Sequence, residues 1–189
     1  MVAFLLSFTN PPRGIYDLKI KNIDGALTPL SNYYGKKMVF VVLKGNETDS
    51  AFDQLTAFCT KYKDSAVVFG ILSIEDGYKE ADKGSVNKRY KSKVPGLVLT
   101  EGMYTRKASA GQADLMSWFT HASQNGRYDQ DITGAGWKFF VDETGVLYAA
   151  LNPQATFSST VIQRVMSKPA RKRPQPPVMQ KGRSIKKVD

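Results

Sequence analysis

The hydrophobic positions fall into stretches of different period, and each period predicts an element. Residues 15–20 alternate apolar and polar side chains as a half-buried strand does, and Asp24-Gly25 then signals a tight turn into a segment ending near Leu30. Residues 38–43, Met-Val-Phe-Val-Val-Leu, form an unbroken apolar run, the pattern of a central strand covered on both faces. Phe52, Leu55, Cys59 and Tyr62 recur at intervals of three, four and three, which predicts a helix with one buried face after the capping candidates of residues 46–50. A second buried strand follows over residues 66–72. Two apolar strands joined by a helix make a βαβ unit, for which parallel strands and a right-handed crossover are expected.

Further on the pattern is less even. Residues 78–91 are polar enough to be either a solvated helix or an irregular loop. Val94-Pro95 leads into a short strand over residues 97–99, the residue before proline being biased towards extended backbone. Leu115, Trp118, Phe119 and Ala122 have helical spacing, and Asn125-Gly126 closes that helix. Residues 137–141 and 146–151 read as strands of a second hairpin around the turn at Asp142 to Gly145. A last amphipathic helix spans 157–166, and Pro169, Pro174, Pro176 and Pro177 predict an extended tail beyond it. The fold class is therefore α/β.

Composition changes this picture mainly at the ends. The 189 residues, 42% hydrophobic and 11% aromatic, suit one domain with appendages. Most of the formal net charge of +10 lies in the tail, where Lys168, Arg171, Lys172, Arg173, Lys181, Arg183, Lys186 and Lys187 face Asp189 alone. That asymmetry describes a weakly basic body with a basic arm suited to an acidic protein face or another polyanion. The first eight residues, Met-Val-Ala-Phe-Leu-Leu-Ser-Phe, are either the remnant of a signal peptide or an apolar segment stopped by Pro11-Pro12. The compartment follows that choice: exported in the first case, cytoplasmic in the second. No apolar stretch is long enough for a membrane span. One cysteine, Cys59, allows no intrachain disulfide, and one Cys with one His, His121, does not make a metal site of ordinary ligand spacing. Nothing calls for a cofactor. The expected division is an N-terminal segment over 1–14, a domain over 15–166 and a basic, proline-rich, disordered tail over 167–189.

The order hairpin, βαβ, proline-led strand, helix, hairpin, helix is that of a thioredoxin-like fold, with a central mixed sheet, an N-terminal hairpin and flanking helices. Ile15-Tyr-Asp-Leu-Lys before Asp24-Gly25, Tyr34-Gly-Lys-Lys37 before the apolar strand, residues 55–64, Lys138-Phe-Phe-Val-Asp142-Glu-Thr-Gly145 and Asn152-Pro153 together resemble the glutathione peroxidase family. The resemblance implies a cysteine or selenocysteine at the head of the first long helix, where helix dipole and nearby donors favour the thiolate. This chain reads Lys44-Gly-Asn-Glu-Thr-Asp-Ser50 there, so Asn46 or Glu47 stands in the nucleophile's place, and neither can pass through a sulfenic acid. Glu75 is the nearest counterpart of the family's supporting glutamine, and Gly134-Ala135 occupy the place of its tryptophan-asparagine pair.

The resemblance therefore implies a divergent member without its peroxide-reducing centre. Its expected role is binding, through the body as scaffold and the arm as tether. Two alternatives remain: a thiol-dependent peroxidase acting through Cys59, and an RNA- or DNA-binding component of a larger assembly acting through the arm. Cys59 lies on the apolar helical face, where a cysteine behaves as a small buried hydrophobe. No aromatic residue is interleaved in the arm, which argues against base stacking.

Overall fold

The computed structural model describes residues 14–169. The apolar segment at residues 1–13 and the arm cations Arg171, Lys172, Arg173, Lys181, Arg183, Lys186 and Lys187 lie outside the described residues.

Five strands form the central sheet. β3 (Lys37–Leu43) has every residue buried and is flanked on one side by β4 (Ala66–Ser73) and on the other by β6 (Lys138–Val141). β5 (Val98–Met103) and β7 (Leu147–Leu151) complete the order β5-β4-β3-β6-β7. β3 to β5 run parallel, β6 runs antiparallel to them, and β7, antiparallel to β6, returns to their direction, so the sheet is mixed. A separate hairpin, β1 (Lys19–Lys21) with β2 (Leu27–Pro29), turns through Gly25 at φ 89°, a left-handed conformation that glycine adopts without a Cβ clash. Ile23 N donates to Leu99 O at 2.9 Å and moors the hairpin to β5.

Alternation along β3 sends its side chains to two cores. Val39, Val41 and Leu43 pack with Phe52, Leu55, Phe58 and Cys59 of α1 (Asp49–Tyr62) and with α5 (Thr160–Met166). Met38, Phe40 and Val42 face Leu115, Trp118 and Phe119 of α3 (Asp114–Thr120). On that second face the rings of Phe69, Phe40, Phe119 and Phe139 follow one another at centroid distances of 4.6, 4.9 and 4.4 Å. No described helix is long and apolar enough to cross a membrane.

Three local readings differ from the sequence pattern, and a fourth settles an alternative it left open. Residues 15–17 form a 3-10 turn rather than the start of a strand, and Asp17 carboxylate accepts from Gly14 N at 2.9 Å. Residues 78–91 resolve into a 3-10 turn over Glu80–Asp82 and a helix, α2 (Lys83–Lys93), held by only two buried side chains, Val86 and Tyr90. The helix at residues 114–122 breaks at His121, whose extended backbone separates α3 from a single turn, α4 (Ala122–Asn125), capped by left-handed Gly126. The last helix begins at Thr160 instead of 157, because Ser159 caps it and Phe157 packs against Phe58 at 4.8 Å.

Lys168, assigned by its sequence to the mobile arm, is docked on the body. Its carbonyl and that of Met166 accept from the buried Lys37 Nζ, and its own ammonium lies 5.6 Å from the Tyr148 ring centroid.

Candidate functional site

Strand β3 delivers the chain to a loop over residues 44–48 at the head of α1. Thr48 ends the loop as N-cap, its Oγ1 accepting from Ala51 N at 3.3 Å. Glu47 Oε1 accepts from Lys44 N at 2.8 Å, closing the loop on itself. From α2, Arg89 donates to Asn46 Oδ1 and, at 2.9 Å, to Glu47 O, while the Tyr90 hydroxyl donates to Lys44 O at 2.8 Å. The two residues in the nucleophile's place, Asn46 and Glu47, are thus bonded into the loop's own scaffold.

Three neighbouring loops meet this one at the C-terminal ends of the parallel strands. A Cβ on Gly45 would come within 2.9 Å of Tyr78 Cα, so only glycine allows the loop after β4 to pack so closely. A Cβ on Gly134 would reach 3.2 Å from Asp76 Oδ1, and one on Gly136 would reach 3.1 Å from Pro153 Cβ. Gly136 N donates to Val42 O at 2.7 Å, and Ala135 packs against the second core. Trp137 is itself a core residue, stacked on Phe139.

Glu75 turns away to gather the following loop. It accepts from Thr105 N at 2.9 Å, Arg106 N at 3.1 Å and Ser109 Oγ at 2.6 Å, and Ser73 Oγ lies 3.2 Å from its Oε2. Desolvation raises its pKa, but the bonds from Ser109, Arg106 and Thr105 together outweigh it and hold the carboxyl down at about 2. Asp76 pairs with Arg106 at 3.2 Å.

Cys59 is not part of this assembly. It is 5% exposed and lines a different cavity with Ala66, Pro95 and Gly96, beside the start of β4 rather than its end. Eleven residues of helix separate it from Thr48, roughly 16 Å along the axis. Burial pushes its thiol up to about 12, so it is protonated at neutral pH. His121 sits in the α3–α4 break with Nδ1 2.9 Å from Ser117 O and 3.1 Å from Thr120 Oγ1. No group of three or more His, Cys, Asp or Glu among the described residues could hold a metal ion.

Lys138, which the sequence presented only as part of a strand, is the residue that pattern reading missed. It is 3% exposed at the wall of a cavity of about 230 Å³ bounded by Leu43, Glu47, Phe52, Leu55, Pro153 and Phe157. A lysine inside the otherwise apolar run Trp137 to Val141 was the available signal.

These features define a protein of thioredoxin-like fold. Within that fold the chain is similar to glutathione peroxidases. A probable phospholipid hydroperoxide glutathione peroxidase of Nicotiana sylvestris is 26% identical over 165 residues, covering 82% of this chain and 93% of the relative. Among solved structures, the apo form of Trgpx superposes with a TM-score of 0.61 at 15% identity, covering 84% of this chain and 99% of that one. GPX1 of T. cruzi gives 0.57 at 13% identity, over 82% and 94% of the two chains. A thiol:disulfide interchange protein of the thioredoxin family from Chlorobium tepidum gives 0.53 at 11% identity, over 84% and 96%. No protein-family model matches the chain.

Proposed function

We propose that this glutathione peroxidase-like chain is catalytically silent towards peroxide and acts by binding, with its body as scaffold and its basic arm as tether to an acidic partner. The observation that carries the reading is the segment at residues 44–50, the loop and the start of α1, which contains no thiol and whose Asn46 and Glu47 are committed to Arg89 and Lys44. Glu75 and Gly134-Ala135, in the places of the supporting glutamine and the tryptophan-asparagine pair, support the same conclusion. The only sulfur nucleophile, Cys59, is buried, protonated and distant along α1. Peroxide consumption with glutathione or thioredoxin as reductant should stay at the uncatalysed rate, and Cys59→Ser should leave that rate unchanged. Turnover abolished by Cys59→Ser would overturn the proposal.

The arm concentrates its charge in a short, proline-spaced stretch, and such charge binds anionic partners in a strongly salt-dependent way. Removing residues 167–189 should weaken binding to an acidic polyglutamate probe at low salt by about tenfold or more, measured by fluorescence anisotropy. Unchanged affinity would count against the tether. A preference of the intact chain for single-stranded RNA over polyglutamate would replace the acidic protein with a nucleic acid.

A further inference from the structure

Lys138 lies opposite Val41 in the antiparallel β3–β6 ladder and therefore projects to the face covered by α1. Its Nζ donates to Gly136 O at 2.7 Å and stands 4.9 Å from the centroid of the Phe157 ring, and both partners line the cavity at the head of α1. One proton is thus held by a carbonyl, and the amine faces aromatic and aliphatic walls. No carboxylate among the described residues pairs with it. A buried ammonium without a counter-ion is costly, so burial favours the neutral form and pushes this amine down to about 8. About one molecule in ten then carries a free lone pair at pH 7, against fewer than one in a thousand for an ordinary lysine.

We propose that this cavity captures small apolar aldehydes and that Lys138 Nζ condenses with the carbonyl carbon to form an imine. The lone pair of the neutral amine attacks the carbonyl carbon while the carbon–oxygen π pair moves to oxygen. A proton then passes from nitrogen to oxygen through solvent at the open mouth, giving a carbinolamine. Protonation of its hydroxyl releases water as the nitrogen lone pair forms the C=N bond, and the resulting iminium returns a proton from nitrogen to solvent, leaving the imine. Amine plus aldehyde gives imine plus water, with no change of oxidation state and no co-reactant.

The walls select the class of aldehyde. Leu43, Phe52, Leu55 and Pro153 offer an alkyl chain an apolar lining, and a cavity of about 230 Å³ has room for a chain of roughly six carbons. Glu47 at the rim places a carboxylate where an anionic carbonyl compound such as a 2-oxo acid would be repelled. This chemistry uses no thiol and stands whether or not the proposed silence towards peroxide holds.

The test is reductive trapping of the intact chain with hexanal and cyanoborohydride at limiting aldehyde, followed by peptide mapping. At pH 7 Lys138 should be labelled about tenfold or more faster than the average of the other lysines, and the preference should fade as pH approaches 10. Thr156→Trp, at an exposed position lining the cavity, should lower labelling of Lys138 to the level of surface lysines. Uniform labelling of all lysines at pH 7 would overturn the proposal, and so would preferential labelling of Lys138 that Thr156→Trp leaves intact. The wild-type map decides the question even if Thr156→Trp fails to fold.

Discussion

Replacing Phe40 with alanine should lower the unfolding free energy by about 3–5 kcal/mol, the range for removing a large aromatic side chain from a packed interior. Phe40 is fully buried at the centre of β3, with Phe69 stacked on it at 4.6 Å and Phe119 tilted against it at 4.9 Å. The two neighbours belong to β4 and α3, and Phe119 passes the contact on to Phe139 of β6 at 4.4 Å. One truncation therefore loosens three strands and the helix that covers them. For a chain of this size the melting temperature should fall by roughly 10 °C, and Phe40→Leu should recover more than half of the loss by refilling the cavity. Equilibrium urea denaturation of the two variants against wild type is the measurement. A change under 1 kcal/mol for Phe40→Ala would mean that the stacked rings do not tie the second core together.

The strands that make this core were legible because burial on two faces leaves an unmistakable apolar run, as at residues 38–43, where every side chain is inside. α1 was legible for the complementary reason: Phe52, Leu55, Phe58 and Cys59 form one stripe. α2 was not, because a helix held by Val86 and Tyr90 alone has too few apolar positions to reveal a period. The break at His121 was invisible for another reason. Thr120 Oγ1 turns back to Met116 O at the break, a bond that a list of hydrophobic positions does not register.

The candidate site divides in the same way. The absence of a thiol from residues 44–50 is a property of composition and needs no coordinates. The roles that the substituted residues have taken depend on partners distant in the chain. Asn46 is held by Arg89, forty-three positions away, and Lys138 is covered by Phe157 from a later loop. Burial of a single lysine within a strand leaves little trace in sequence period, because alternation records which positions face inward and not how dry the space is.

Glu75 shows how far a residue's role can move from what its position suggests, and its replacement carries the second large effect. Glu75→Ala should cost about 2 kcal/mol at pH 7, because it strips the backbone N–H groups of Thr105 and Arg106 and the Ser109 hydroxyl of a charged acceptor. Glu75→Gln, which restores the amide of the resembling family, should still be destabilising. One of its two terminal atoms becomes a donor, facing donors that now meet oxygen on both sides. The pH dependence separates lost charge from lost shape. The carboxyl is held at about 2 in the folded chain against an ordinary value of 4.5, so its contribution is complete above about 4.5 and fades as pH falls towards 2. The stability gap between wild type and Glu75→Gln should accordingly be constant from pH 7 to 5 and shrink steadily between about 4.5 and 2. Denaturation midpoints across that interval provide the measurement. A gap that stays level to pH 2 would show that the carboxylate's charge does not hold the loop after β5, and that shape alone distinguishes the two side chains.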